Sequence, residues 1–228
     1  MERVKTWIRG FDTLAGGGMP SPTFMLLVGH PGTGKSTFSI QFLLNGAKFA
    51  NEIGVYASFV EREENFIRNM TESYGFDFKT PMQAGKLHYL EFSPLSPIVI
   101  SDVFNEIAKV VLENGAKRLV IDSLNALLSD LPSAEHRTML EIIVNRLIKG
   151  AGCTVFGIVE QGIGKQEIGL GIEEFVADGL LIFESYIEGF EVKKRAVIRK
   201  LRGTQHSSRY QSILLTPMEG IEFLQMVD

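Results

Sequence analysis

Five apolar residues, Phe24 to Val28, run directly into Gly29-His30-Pro31-Gly32-Thr33-Gly34-Lys35-Ser36-Thr37, and a second apolar stretch, Phe38 to Leu44, follows at once. Strand, glycine loop and helix in that order is the setting in which G-x-x-x-x-G-K-S acts as a phosphate-binding loop. Lacking a β-carbon, Gly29, Gly32 and Gly34 let the chain turn sharply, so that backbone N–H groups close around phosphate oxygens. The helix that opens near Lys35 aims the positive end of its dipole at the same place. Lys35 has the reach for the β- and γ-phosphates, and the Ser36 hydroxyl suits Mg²⁺. An accidental match in a chain of this length is expected on the order of once in a hundred. Binding of a nucleoside triphosphate follows from this stretch.

The 228 residues are enough for one domain, 1–228, with a sizeable core, and the hydrophobic and charged fractions, 45% and 22%, are those of a soluble globule. A net charge of −4 offers no overall attraction for nucleic acid. The single cysteine, Cys153, lies in an apolar run and reads as inert core. With no apolar run of 18 residues, and no leader-like stretch after Met1, the expectation is a cytoplasmic protein without a membrane span.

Strand and helix signals then alternate. Gly54–Val60 reads as a strand, Glu61–Tyr74 as a helix with Phe66, Met70 and Tyr74 inward and Gly75 as its stop, and Leu87–Phe92 as a third strand. After a loop marked by Pro94 and Pro97, Ser101 caps a helix that presents Phe104, Ile107, Ala108 and Val111. Leu119–Ile121 is a short buried strand. Ser133 caps a helix with Met139, Ile142, Ile143 and Leu147 inward, and Cys153–Val159 and Leu180–Phe183 are further strands. Ala196–Arg202 and Tyr210–Leu215 read as two arms of an antiparallel pair, with Gly220–Phe223 as a last strand. The expected fold is α/β, a mostly parallel sheet with a C-terminal antiparallel extension.

Three groups of residues add chemistry to the loop. Asp122, at the end of an apolar strand, is placed to hold Mg²⁺ together with Ser36. Glu61 and Glu160, each ending a strand, are candidates to orient or deprotonate water. The alternative for Glu61 is a helix-start carboxylate facing the dipole. Lys200 and Arg202, two apart on a strand, project together and Leu201 away. They read either as cations delivered to a second subunit's γ-phosphate or as part of a solvated basic face with Lys193, Lys194, Arg195 and Arg199. The run Gly16-Gly17-Gly18 reads as a connector or as a segment near the nucleotide.

With these pieces in place, the chain resembles the KaiC-like branch of the RecA-type P-loop ATPases from about Trp7 to Phe223. Besides the glycine triplet and the loop, the marks are Ser58-Phe59-Val60-Glu61, Leu119-Val120-Ile121-Asp122-Ser123, Gly171 to Gly179, and Lys200-Leu201-Arg202-Gly203-Thr204-Gln205-His206. The resemblance implies a RecA-like core, ATP with Mg²⁺ at each subunit boundary, and a homo-oligomeric ring of six. It also implies that Lys200 and Arg202, with His206, reach the neighbour's nucleotide. In the family paired glutamates follow the second strand, whereas here the first of the two is Val60. Glu61 then stands alone, and slow hydrolysis is expected. The clock members carry two such domains, so clock and autokinase functions are not carried over to this one. The resulting expectation is a slowly hydrolysing ATPase that switches protein partners. The alternative is a DNA-dependent recombination or repair ATPase, motivated by the basic strand and the Gly162–Gly171 loop. Against it stand the acidic total and a loop whose single base is Lys165, with no aromatic to stack on a nucleobase.

Overall fold

The computed structural model describes residues 2–92, 100–128, 131–161 and 176–225. The loop at Pro94 and Pro97, the Gly162–Gly171 loop, the Ile172–Phe175 run and the Ser133 side chain lie outside the described residues. The elements in chain order begin with β1 (Arg3–Val4), α1 (Phe11–Leu14), β2 (Met19–Pro20), β3 (Phe24–Gly29), α2 (Lys35–Ala50) and β4 (Gly54–Ser58). Next come α3 (Glu63–Tyr74), α4 (Lys79–Gln83), β5 (Leu87–Glu91), α5 (Ile100–Asn114), β6 (Arg118–Asp122) and α6 (Leu124–Leu128). After α7 (Ser133–Ile143) a π-helical segment spans Val144–Gly150, and the chain ends with β7 (Thr154–Glu160), β8 (Gly179–Glu188), β9 (Glu191–Leu201), β10 (Gln211–Thr216) and β11 (Gly220–Gln225).

Among the described residues the main sheet has nine strands in the order β11-β10-β9-β8-β3-β7-β6-β4-β5. From β8 to β5 all neighbours are parallel, and β9, β10 and β11 extend the sheet antiparallel. Parallel strands covered on both faces should read as unbroken apolar runs, and β3 does. Phe24, Leu26 and Val28 face a core layer with α5, α6 and α7, while Met25 and Leu27 face a second layer with α2. Cys153 is fully buried in the first layer, and burial pushes its thiol up to about 12, as inert core requires.

Most expected elements lie where the pattern puts them, and the departures have local causes. Gly75 ends α3 in the left-handed region, φ 68°, its N–H donating to the Thr71 carbonyl. The helix begins at Glu63 rather than Glu61, because the Ser58 hydroxyl and the Tyr89 phenol hold the Glu61 carbonyl in the preceding turn. The helix from Ser133 does not carry Ile142 inward. Its inward stripe runs through His136 and Leu140, with Leu147 and Ile148 buried in the π segment beyond, and Ile142, two residues or about 200° round the helix from Leu140, is exposed. The segments Ala196–Arg202 and Tyr210–Leu215 do pair antiparallel, through a short ladder of Gln211 with Ala196 and Ser212 with Arg195. The main partner of β9 is β8, and that of β10 is β11. The outer halves of β8 and β9 are a two-stranded ribbon exposed on both faces, so they lack the apolar run that marks a strand in sequence.

Candidate nucleotide-binding site

The parallel strands deliver their C-terminal ends to one edge of the sheet, where α/β sheets place their ligand crevice. Register does the positioning. Gly29 is the partner of Glu160 on β7 and of Phe183 on β8, and Ser58 on β4 is the partner of Asp122 on β6. Gly29 has to be glycine here. A Cβ on it would stand 2.3 Å from the Phe183 carbonyl oxygen. Gly32 and Gly34 take φ of 76° and 104°, values that L side chains rarely adopt, and Gly34 caps α2.

Inside the loop, Lys35 is nearly buried and its Nζ donates to the carbonyls of Gly29, 2.8 Å, and His30, 2.9 Å. The Thr33 hydroxyl donates to the same His30 carbonyl at 2.8 Å, and His30 Nδ1 donates to the Gln161 carbonyl at 2.7 Å. Burial lowers the pKa of Lys35, and the nearby carboxylates of Glu160 and Asp122 oppose that shift. Pro31, Gly32, Gly34, Ser36 and Thr37 line a cavity of about 280 Å³ above the loop.

Asp122 is buried, and its Oδ2 accepts hydrogen bonds from Ser36 Oγ at 2.9 Å and Tyr56 Oη at 2.6 Å. Burial raises its pKa, and the two hydroxyl donors oppose the shift. One hydroxyl and one carboxylate in contact beside a phosphate loop is an all-oxygen set that fits Mg²⁺, which takes few protein ligands and completes its shell with phosphate oxygens and water. No group of three His, Cys, Asp or Glu side chains arranged to hold a metal ion occurs among the described residues.

Glu160 lines the same cavity, its backbone clasped at both N–H and carbonyl by the Asn125 side chain of α6. Glu61 follows β4, two strands further out than β7, and its carboxylate accepts a hydrogen bond from Asn69 Nδ2 at 2.8 Å. Lys200, Arg202 and His206 are at the other end of the sheet. Lys200 is opposite Leu180, three residues down β8 from Phe183, or about 10 Å along the strand. Its Nζ donates to the Ala177 carbonyl at 2.7 Å, and Arg202 Nη1 pairs with Asp178 at 3.3 Å. His206 Nδ1 donates to the Ser207 carbonyl at 3.2 Å. The glycine triplet belongs to that end too, since a Cβ on Gly16 would press on Thr204 and Gln205. Within one protomer the triplet is a connector.

Sequence reasoning passed over four residues that the tertiary structure brings to the crevice. Tyr74 and Lys194 line the cavity, Tyr56 holds Asp122, and Tyr89 holds the Glu61 carbonyl. Strand periodicity puts Tyr56 on the face of Ser58, but only the β4–β6 register shows that this face carries Asp122. In sequence Lys194 reads only as part of a basic face, because the ribbon that presents it follows no apolar pattern that would place it beside the loop.

A family model described as "ATPase: KaiC" matches residues 4–227. The circadian clock oscillator protein KaiC of Synechococcus elongatus is 32% identical over 90% of this chain, which spans 41% of that protein's length. A UPF0273 protein of Thermotoga maritima is 32% identical over 97% of this chain and 99% of its own length. Among solved structures, a KaiC-like protein from Pyrococcus horikoshii OT3 superposes with a TM-score of 0.87 and 35% identity over 97% of this chain and 98% of that one. A phosphate loop, a buried strand-end carboxylate beside its serine, and a RecA-type sheet carried over nearly the whole match place the chain in the KaiC family of ATPases.

Proposed function

We propose that this protein is a Mg²⁺-dependent, slowly hydrolysing ATPase of 1–228 as one domain, assembled as a head-to-tail ring, six subunits by the family resemblance, that switches protein partners by nucleotide state. The observation that carries the reading is the separation of its cations. Lys35 stands at one edge of the sheet, and Lys200 and Arg202 stand at the other. A strand about 10 Å too far down cannot serve its own loop, so these cations reach a γ-phosphate only when the lower edge of one copy meets the upper edge of the next. Such a contact is heterologous, and repeated with a rotation that closes on itself it forms the ring that the family resemblance implies.

In this reading the loop N–H groups from His30 to Thr37 cradle the phosphates, and Lys35 leaves the Gly29 and His30 carbonyls to meet them. Ser36 and Asp122 would hold Mg²⁺, which would supply charge neutralisation beside the phosphates. Tyr74, Lys194 and Leu215 wall the cavity beyond Thr37, where ribose and base extend. Glu61 orients water and Glu160 supports the in-line side of the γ-phosphate. Slow turnover follows from Glu61 standing without a second carboxylate, since Val60 occupies that position, and from its bond to Asn69.

The test mixes two inactive variants. Lys35→Ala protein cannot bind nucleotide but offers intact Lys200 and Arg202, and Arg202→Ala protein has the converse defect. Turnover should reappear on mixing, with a maximum at intermediate ratios. Assembled mixed rings that stay inactive at every ratio would remove the action between subunits.

A further inference from the structure

Tyr56 is fully buried, and a buried phenol needs a partner for its hydroxyl. Here that partner is an ionisable carboxylate reached at 2.6 Å, the short distance of an O–H donating to charged oxygen. An ionised carboxylate only accepts, so Tyr56 Oη and Ser36 Oγ are both donors, and among the described residues both go to Oδ2 of Asp122. Neither of these two bonds uses Oδ1. The two donors differ in stiffness. Ser36 sits in the loop that must rearrange around phosphate, whereas Tyr56 is fixed in β4, its ring stacked on Tyr89 at 5.3 Å and against Phe66 at 4.8 Å.

We propose that Tyr56 is a positioning residue for the metal-side carboxylate: it clamps Oδ2 of Asp122 from the rigid sheet, so that Oδ1 is presented to the Mg²⁺ shell in a fixed orientation. The proposal rests on Ser36 and Asp122 being the Mg²⁺ side of the site. Hydrogen-bond partners behind a metal-binding group orient it, and their loss typically weakens metal affinity by 10- to 100-fold.

Tyr56→Phe keeps the ring and its stacking and removes only the donor. The readout is the binding of a fluorescent ATP analogue with and without Mg²⁺, beside a thermal melt in Mg²⁺-free buffer. The variant should melt within a few degrees of the parent and bind the analogue as well as the parent without Mg²⁺. The Mg²⁺ concentration that gives half the gain in affinity should rise about tenfold. In an Asp122→Asn background the same change should not shift the Mg²⁺ dependence further, because the amide that still accepts from Tyr56 offers the cation no charged oxygen. Tyr89→Phe, which releases the Glu61 carbonyl instead, should leave the Mg²⁺ dependence where it was. A Tyr56→Phe protein with the parent's Mg²⁺ dependence, or one that loses as much in the Asp122→Asn background, overturns the proposal. An Asp122→Asn protein with parental Mg²⁺ dependence would instead remove the reading of the metal side itself.

Discussion

Lys35 Nζ donates to the Gly29 carbonyl at 2.8 Å, so the loop's lysine is held by the backbone it is meant to leave. Burial lowers its pKa in this arrangement, and Glu160 and Asp122 oppose the shift. Only the protonated amine attracts phosphate. ATP affinity should therefore fall as pH rises through a value below the ordinary lysine range, and binding on the alkaline side should take up a proton. Isothermal titration in two buffers of different ionisation enthalpy measures that uptake. Lys35→Ala should lose at least about 100-fold in affinity, since a charged hydrogen-bond donor is removed from a desolvated site.

Asp122 is the opposite case. Its carboxyl is raised by burial, so the protonated form favours folding and that contribution is lost as pH rises through the raised value. At neutral pH the ionised group costs stability. Asp122→Asn, which keeps an acceptor for Tyr56, should raise Tm by roughly 2–4 °C for about 1 kcal/mol while Mg²⁺-dependent turnover collapses. Calorimetry and a steady-state assay on the same sample check both halves.

Arg118 fastens the N-terminal segment to the sheet. Its side chain is 1% exposed, pairs with Glu52 at 2.6 Å, donates to the carbonyls of Phe42 and Lys5, and lies over the rings of Phe42 and Trp7. Arg118→Ala leaves Glu52 and two carbonyls without their partner and should cost about 3 kcal/mol, the lower end for breaking a buried pair. Gly46→Ala should destabilise by the same route, because its Cβ would stand 2.3 Å from Arg118 Nε. Chemical denaturation of both variants measures this, and Lys at 118 should not restore the loss.

Two glycines of the loop should separate by mechanism. Gly29→Ala drives a Cβ into the Phe183 carbonyl and should open the β3–β8 pairing, with a loss well above 2 kcal/mol. A Cβ on Gly32 meets nothing within 4 Å, so Gly32→Ala carries only the strain of φ 76°, about 1 kcal/mol. Its nucleotide affinity should nonetheless drop, and melting set against binding distinguishes the two.

Arg202 pairs with Asp178 at a half-exposed position, where such pairs contribute little. Arg202→Ala should shift stability by less than about 0.5 kcal/mol and leave the nucleotide affinity of a separate protomer unchanged. Turnover should fall only where copies assemble, which comparing specific activity across a dilution series reveals.

Much of this was readable beforehand because covalent neighbours carry it. The loop spacing, the apolar runs of β3, β6 and β7, the left-handed stop at Gly75 and the carboxylates at strand ends are local, and local rules recover them. The ribbon of β8 and β9, the π turn after Ile143 and the partners of β10 were not, because each depends on which strand or layer lies alongside.

The sequence by itself determined that a glycine loop between strand and helix meets phosphate, and that Asp122 and Glu160 end strands of one α/β sheet, whereas Glu61, expected at a strand end, lies in the turn three residues beyond Ser58, the last residue of β4. Tertiary structure alone decided that Tyr56 clamps Asp122, that Lys194 lines the loop's cavity, and that Lys200 and Arg202 stand at the far edge. The reason is register. A strand's own residues dictate which side chains share a face, but only hydrogen bonding to a neighbour dictates what stands beside them and at which end.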